Sequence, residues 1–420
     1  MAQRSIWEDK YGYGIQTSTI DVPSSCTSGI FLMSHSQLDP RFQTIEQRKT
    51  TASSSRSQLI EFSMNGRIPS SRLPIIMSPS QIYPFFRLFF QKGSLQDSST
   101  NTIKWFYPYS FENGGSECEV WGTFVRELAS TGTTQSQRIT GSIVSSLSFL
   151  PSTLEYMVLD CSIIGRDFEK NRQTSGDTFT LSTDAPLLWR NCETRIGNSY
   201  DSLETFDLKR FGLTLVNNPV GRFYNNSKIK RFNLGNFVGN GRIIVPWENS
   251  STNYKNNQLF TDYENGVVTR LSLYWNTQYA TTGSSLSVNL LIRHNSVTIS
   301  DDKEVSNLSE FILVEDNSFS YDNSKISSWT IDNSDDTKIS FTFPGSQTLT
   351  GNVFPGDAVV TVDASSGYNN KWTIENVVNF STVKLTSSHP AGTGATGSNA
   401  IIIRQPINIG LNDNVNRGIT

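Results

Sequence analysis

The tetrapeptide Asn-Gly-Arg-Ile occurs twice in this chain, at residues 65–68 and 240–243. At nearly the same spacing, each copy is followed by a stretch with aromatic residues and then by a glycine, Gly93 in the first half and Gly266 in the second. Matching landmarks in the same order carry more weight than one short match, because self-similarity at a fixed spacing is typical of duplicated units. The sequence therefore predicts an internal duplication.

Apolar and polar residues alternate after each of these glycines. In the first half the alternation runs on both sides of a Gly114-Gly115 turn, and in the second half on both sides of Gly283. The apolar positions are Ile103, Trp105, Tyr107, Tyr109, Phe111, Cys118, Val120 and Phe124, and then Leu271, Leu273, Trp275, Leu286, Val288, Leu290 and Ile292. Period-two alternation around a glycine turn is typical of a half-buried antiparallel hairpin. We predict one hairpin over residues 103–128 and another over 271–292.

Composition favours a mainly β fold. The chain has 420 residues, enough for two or three domains with real cores, yet only 36% of them are hydrophobic and 17% are charged. Ser, Thr, Asn and Gly fill the difference, and these residues favour turns and exposed strand faces over long helices. A net charge of −3 offers no basic field for gripping duplex DNA, so tight DNA binding is not expected.

Landmarks and loop signals divide the chain into five predicted parts. These are an N-terminal arm (1–28), a first unit (29–184), a second unit (185–349), a small β-module (350–403) that is inserted or appended, and a C-terminal tail (404–420). Long loops are predicted over residues 35–56 and 217–239, at equivalent places in the two units. Loops of that length usually serve a purpose beyond connection, such as contact with a partner.

One segment has strong helical periodicity. Its apolar residues recur at i, i+3, i+4 and i+7, as Ile82, Phe85, Phe86 and Phe89. Ser78 or Ser80 can cap this helix, and Pro84 restricts its start to the vicinity of the proline. The counterpart in the second half, over 258–265, is short and polar.

The residues that usually carry chemistry are few and scattered. Three histidines, His35, His294 and His389, are each isolated, so neither a catalytic triad nor a multi-histidine metal site is indicated. Four widely spaced cysteines, Cys26, Cys118, Cys161 and Cys192, are predicted to be buried free thiols. Phosphate-binding glycine loops and nucleophile elbows are absent from the sequence. We predict no catalytic, cofactor-binding or metal-binding residues, and hence no enzyme and no cofactor.

Other groupings have both a functional and a structural interpretation. Asp262 with Glu264, and Asp301 with Asp302 and Glu304, resemble glycosidase or cation-binding carboxylates, but such pairs are common on solvated loops. The basic run at residues 227–232 fits a solvated or subunit-facing loop. Trp105, Phe106, Tyr107 and Tyr109 offer a stacking platform for sugars or bases, although strand alternation places most of them in a core. The N-terminal residues 1–10 lack a signal-peptide core, and no apolar run is long enough to span a bilayer.

The order of these landmarks resembles the tail tube proteins of long-tailed bacteriophages, in the larger type whose tube domain is duplicated. The similarity covers most of residues 26–345. It is carried by residues 58–69 with the Phe-rich helix and Gly93, by residues 139–149, and by residues 211–218 leading to 239–243. The module around Gly356-Asp357 is similar to small β-modules appended to or inserted in phage tail proteins.

The resemblance implies tandem tail-tube β-sandwich or barrel domains, each with a flanking helix, plus a small C-terminal β-barrel module. It implies a structural virion protein, made in the host cytoplasm, that polymerises into the hollow tail tube. Its partners would be further copies of itself in trimeric, pseudo-hexameric rings, and the tape measure, distal tail and terminator proteins. Double-stranded DNA would pass through without specific binding, and no membrane is involved. Two alternatives remain: a carbohydrate-binding or adhesion component of the virion, and a glycoside hydrolase.

Overall fold

The computed structural model describes residues 10–16, 19–30, 32, 41–50, 60–91, 94–97, 102–106, 118–128, 135–151, 155–173, 179–180, 184–197, 203–223, 228–246, 257–277, 284–300, 306–319, 326–344, 349–350, 353–362 and 371–412. The fold is mainly β, with antiparallel sheets, few helices and a curled sheet near the C-terminus. This confirms the predicted fold class at that level.

Strands make up most of the elements along the chain, and α-helices interrupt them at two places in the described part. The first elements are β1 (Lys10–Gln16), β2 (Ser28–Gly29), β3 (Arg41–Thr50), β4 (Ile60–Ile76), α1 (Pro79–Phe90), β5 (Ser94–Asp97), β6 (Thr102–Phe106), β7 (Trp121–Leu128), β8 (Gln135–Pro151), β9 (Met157–Ile164) and β10 (Asp167–Gln173). The next are β11 (Cys192–Gly197), β12 (Glu204–Thr205), β13 (Arg210–Val216), β14 (Val220–Arg222), β15 (Arg231–Asn233), β16 (Val238–Pro246), α2 (Asn257–Asn265), β17 (Thr269–Asn276), β18 (Ser285–Ser300) and β19 (Ser306–Leu313). The last are β20 (Asp316–Phe319), β21 (Ser328–Ile331), β22 (Lys338–Thr342), β23 (Ala358–Val362), β24 (Lys371–Val377), β25 (Thr382–Leu385), β26 (Thr396–Gly397), β27 (Asn399–Arg404) and β28 (Ile407–Asn412).

The chain folds into two compact units, neither of which is continuous in sequence. Unit 1 consists of Met1–Gln91, Phe111–Pro186 and Thr214–Phe237. Unit 2 consists of Lys92–Ser110, Leu187–Leu213 and Val238–Thr420. The segment with β5 and β6 therefore belongs to unit 2, although the residues on both sides of it in sequence belong to unit 1. The segment with β14 and β15 is exchanged in the opposite sense and belongs to unit 1. The predicted units, 29–184 and 185–349, are each continuous in sequence and do not reproduce these two exchanges.

Unit 1 is organised around the long strand β8. Its first half lies in an antiparallel sheet of order β1-β7-β8-β10. Beyond Ile143 the same strand pairs with β9, which pairs with β4, which in turn pairs with β3. Helix α1 packs beside these strands, and the Phe86 ring stacks on Phe149 at 5.9 Å between centroids.

Unit 2 is organised in the same way around β18. Its first half lies in a sheet of order β11-β17-β18-β28-β6-β5. Its second half pairs with β19, which pairs with β16. The predicted hairpin over 271–292 is confirmed as β17 and β18.

One pairing pattern thus occurs twice. In each unit a helix precedes a hairpin, β7–β8 or β17–β18, and the hairpin is followed by an outer strand, β9 or β19. That outer strand pairs both with the hairpin and with the strand before the helix, β4 or β16. Strands β1 and β11 flank the first hairpin strand, and β10 and β28 flank the second.

Helix α1 forms where its apolar periodicity predicts it, and all four predicted core residues are fully buried. It begins at Pro79, so Pro84 lies inside the helix. Ser78 is the N-cap residue, but its side chain makes no capping bond. The N–H of Ser80 instead donates to the Asp184 carboxylate at 2.9 Å, which supplies the anionic partner that a helix start favours. Helix α2 also forms and is short and polar, as predicted.

Three predictions about local pairing were wrong. The hairpin over 103–128 does not form, because β6 pairs with β5 and β28 while β7 pairs with β1 and β8. Within the predicted loop 35–56, Arg41–Thr50 is a strand paired with β4, and residues 33–40 and 51–59 lie outside the described part. The predicted loop 217–239 contains the β14–β15 hairpin.

The repeated tetrapeptide also falls at different places in the two units. Its first copy lies in the part of β4 that pairs with β3, where a bulge sets Asn65 and Gly66 opposite Ile45. Its second copy lies in β16 and pairs with β19. There Gly241 is required by packing, because a Cβ would meet the Gly212 carbonyl oxygen at 2.4 Å. The two copies of the tetrapeptide are therefore not structurally equivalent, although the pairing pattern recurs.

The curled sheet near the C-terminus is an insert between β19 and β28. Its strand order is β20-β27-β23-β24-β25-β22-β21-β26, so the insert covers residues 316–404. The predicted strands of the 350–403 module are present as β23, β24, β25 and β27. Three further strands, β20 to β22, precede residue 350, and β28 lies in the predicted tail. The insert has its own core, which includes Trp329, Phe341, Ile374 and Ile402.

Candidate functional site

The four central strands of the unit 2 sheet, β17, β18, β28 and β6, share one apolar face. Residues that pair on adjacent strands form rows across this face, and each row consists of buried side chains from several strands. One row is Leu273, Val288, Ile409 and Trp105, and another is Trp275, Leu286, Leu411 and Ile103. All eight are buried. The exchanged strand β6 therefore completes the core of unit 2, which explains why it leaves its neighbours in sequence.

The opposite face of the same sheet is polar and carries few charges. Its rows are Ser272, Asn289 and Asn408; Tyr274, Ser287, Gly410 and Lys104; and Asn276, Ser285, Asn412 and Thr102. The residue Tyr274 is 39% exposed. On the neighbouring strand β11, the exposed side chains Glu193 and Arg195 form an ion pair at 2.5 Å. Asn408 is buried, and the other residues of these rows present mainly amides and hydroxyls to their surroundings.

The exchanged segment Thr214–Phe237 is attached to unit 1 by several kinds of contact. Ile229 and Phe232 are fully buried in a cluster with Ile20, Cys118 and Ile143. The Arg166 guanidinium donates to the Ile229 carbonyl at 2.6 Å, and Lys228 forms an ion pair with Asp167. The basic run at 227–232 is thus a docked hairpin rather than a free cationic loop, and Ser227 lies outside the described residues.

The insert meets the sheet of unit 2 at a buried polar junction. The Asp357 carboxylate accepts the N–H of Phe354 at 2.8 Å and the N–H of Gln405 at 2.8 Å. Asn408 on β28 donates to the Pro355 carbonyl at 2.6 Å. The Arg270 guanidinium on β17 lies 4.1 Å from the centre of the Phe354 ring. These contacts connect the turn at 354–357 to two strands of the sheet.

Burial shifts the ionisation of this junction. Loss of hydration raises the pKa of Asp357 to about 7, although its two N–H donors and the cations of Arg404 and Arg270 oppose the shift. Burial, and then repulsion from Arg404, lower the pKa of Arg270 to about 9. Sequence reasoning missed all three residues. Phe-Pro-Gly-Asp is a turn signal, and nothing in it distinguishes a buried aspartate from a solvated one.

The described histidines have structural roles. His294 is buried with Nδ1 2.6 Å from Ser309 Oγ, and burial lowers its pKa to about 4. His389 lies in the core of the insert, where its ring centroid is 4.2 Å from that of Trp372 and its Nδ1 accepts the N–H of Ala391. Its Nε2 then carries the proton and donates to Thr361 Oγ1 at 2.8 Å. His35 lies outside the described residues.

The other groupings are also accounted for where they are described. Asp262 is buried in α2 and accepts from Gln258 at 2.7 Å, while Glu264 is exposed. Trp105 is fully buried, so its ring offers no stacking platform. The carboxylates at 301–304 and the rings of Tyr107 and Tyr109 lie outside the described residues, as does the side chain of Phe106.

Free thiols are confirmed at all four cysteines. Cys26, Cys118 and Cys161 are buried as predicted, whereas Cys192 is only partly buried. Burial raises the pKa of Cys161 and of Cys192, which makes both poor nucleophiles. In the described part of the chain, no three His, Cys, Asp or Glu side chains come together as a metal-binding group. No helix among the described residues is long and apolar enough to cross a membrane.

No protein-family model matches the chain, and no curated protein sequence matches it.

Proposed function

We propose that this protein is a structural component of a phage virion that polymerises into the hollow tail tube. The observation that carries the proposal is the pairing pattern that occurs around β8 and again around β18. Each unit supplies a helix, a hairpin and an outer strand in the same order, as expected of tandem tail-tube domains. The proposal rests on this topology together with the sequence resemblance.

Two tandem units per chain favour a ring of three chains. Each ring would then contain six similar units, and rings would stack along the tube. Threefold closure with internal duplication gives pseudo-sixfold geometry without a sixth copy of the chain. A closed ring also removes exposed strand edges, which an open sheet leaves free for aggregation. The expected additional partners are the tape measure, distal tail and terminator proteins.

The part of the unit 2 polar face that the insert leaves uncovered, with the rows through Tyr274 and Asn276, is our candidate for part of the channel lining. A surface that passes DNA quickly should not hold phosphates with rows of Lys and Arg, because each such contact adds affinity. The rows of this face are mainly Ser, Thr and Asn, and the nearby charges of Glu193 and Arg195 neutralise each other. Transient, sequence-independent passage of double-stranded DNA fits this surface.

The proposal includes no catalysis, no cofactor and no membrane contact. Under this proposal the protein is made in the host cytoplasm and acts in the virion tail. Negative-stain electron microscopy of the purified protein tests it: we expect hollow tubes or stacked rings at high concentration. Glycan binding by a protein that stays monomeric would favour the adhesion alternative, and polysaccharide turnover abolished by neutralising one carboxylate would favour the hydrolase.

A further inference from the structure

The turn at residues 354–357 is held by hydrogen bonds within itself and to the rest of the insert. Its own backbone is closed by the Asp357 N–H, which donates to the Phe354 carbonyl at 3.0 Å. Within the insert, Gly356 donates to the carbonyl of Ile374 at 2.8 Å, and Ile374 returns a bond to Asp357 at 2.8 Å. Gly356 has φ of 95°, a conformation that residues other than glycine rarely adopt. The shape of the turn is therefore fixed by bonds within the insert, without the contacts to the sheet.

Both chain connections of the insert reach the same residue of β18. Val314, just before the insert, donates its N–H to the Leu291 carbonyl at 3.0 Å. Leu291 in turn donates to the carbonyl of Pro406, just after the insert, at 3.0 Å. Movement of the insert about these two connections is restricted by the turn at 354–357, because that turn adds bonds from the insert to β28 and to the N–H of Gln405.

Asp357 occupies the central position in this junction. It is 2% exposed, and its two carboxylate oxygens accept from opposite sides, one from within the turn and one from the segment leading to β28. The charged groups that face it are Arg270 from β17 and Arg404 from the end of β27. The bonds to N–H groups hold the turn closed, whereas burial of an ionised carboxylate opposes closure.

We propose that the turn at 354–357 is a latch that holds the insert on the unit 2 sheet, and that the latch opens more readily as the pH rises through neutrality. Opening releases the N–H of Gln405 and hydrates the Asp357 carboxylate. This inference does not depend on tube formation, since it concerns the folded chain by itself.

The direction follows from proton linkage. Asp357 has an ordinary pKa of 3.8 when hydrated and about 7 in the closed latch. The closed state therefore binds more protons than the open state between these values, so closure is favoured at low pH and is lost as the pH rises. Between pH 6 and pH 8 the opening equilibrium should increase about tenfold.

Hydrogen exchange of the full chain tests the latch directly. The amide protons of Phe354 and Gln405 are followed at pH 6 and pH 8, with correction for intrinsic exchange rates. In the wild-type protein we expect their protection to fall about tenfold over this range. In Asp357→Asn, which cannot ionise, protection should be lower overall and the same at both pH values.

A matched control is Asp332→Asn, at an exposed carboxylate elsewhere in the insert that caps the N–H of Ser334. This variant should keep the tenfold dependence of the Phe354 and Gln405 amides. Equal protection of these amides at pH 6 and pH 8 in the wild-type protein would overturn the proposal, as would a tenfold dependence that persists in Asp357→Asn. If Asp357→Asn does not fold, the comparison of wild-type amide protection at pH 6 and pH 8 still tests the proposal.

Discussion

The two units differ most at the turn that follows the outer strand. In unit 1, β9 passes to β10 through Gly165 and Arg166 alone, and Arg166 holds the exchanged hairpin by its bond to Ile229. In unit 2 the equivalent connection, from β19 to β28, contains the eight-stranded insert. A tight corner and a whole small domain therefore occupy the same topological place, which indicates that this corner tolerates insertion without loss of the surrounding pairing.

The helices show a second difference between the units. Helix α1 buries Ile82, Phe85, Phe86 and Phe89 completely. Helix α2 is shorter, and its buried residues are Leu259 and the polar Asp262, which Gln258 and Thr269 satisfy. Unit 2 thus relies less on its helix and more on its wider sheet, to which β6 brings Trp105 and Ile103. The same topology is stabilised by different elements.

The largest effect is expected from removing the ring that β6 contributes to unit 2. Trp105→Ala should lower the free energy of unfolding by about 3–5 kcal/mol, because it leaves a cavity beside Ile409 in a fully buried row. Urea titration followed by tryptophan fluorescence measures it. Lys104→Ala, on the other face of the same strand, should cost less than about 1 kcal/mol. Similar losses for the two variants would mean that β6 is not part of the core.

The reciprocal exchange is tested at Phe232, which is buried in the small cluster on unit 1. We expect Phe232→Ala to cost about 3 kcal/mol, less than Trp105→Ala, since a small cluster can partly close around the cavity. Val220, on the same hairpin, is 47% exposed, and Val220→Ala serves as the control with a loss below about 0.5 kcal/mol. A loss below about 1 kcal/mol in Phe232→Ala would argue against docking of this hairpin.

The pH dependence of stability compares His294 in unit 2 with Val144, the residue at the equivalent place in unit 1. A bulge follows Val144 in β8 and follows His294 in β18, so the two residues precede the same irregularity. Burial lowers the pKa of His294 to about 4, from 6.5. The unfolded chain therefore binds the proton first, and stability falls as the pH drops from 6.5 towards 4, by about 2 kcal/mol at pH 5.

The variant His294→Val places the unit 1 residue in unit 2 and should remove this loss. The difference between wild-type and variant unfolding free energies is measured at pH 5 and pH 7, which cancels the opposite trend expected from Asp357. If the difference is the same at both pH values, His294 is not buried in its neutral form.

The smallest effect on unit 2 is expected from removing the insert. Val314 and Pro406 both bond to Leu291, so a short Gly/Ser linker in place of residues 316–404 can join the two strands. We expect this variant to fold and to form tubes, because the insert lies outside the recurring pattern. A soluble, folded variant without tubes would place the insert in the ring or stacking contact.

Sequence reasoning succeeded where the signal is local. The period of 3.6 in α1 and the alternation in β17 and β18 each report which side of an element is buried. Alternation does not report which strand lies alongside, and for this reason β6 was assigned to β7 when it belongs beside β28. The start of the insert was missed for the same reason, since β21 and β22 alternate like the strands of the main sheets.

The junction at Asp357 was not predictable at all. Its burial depends on Arg270 and Gln405, which are distant in sequence and are brought to it only by the fold.

The central claim is that two copies of one fold in each chain occupy successive positions in a ring. Cryo-electron microscopy of assembled tubes measures this directly through the symmetry of one ring. We predict threefold symmetry, with three chains per ring and six similar units around the channel. Six chains per ring with sixfold symmetry would contradict the claim, and so would a protein that stays monomeric at high concentration.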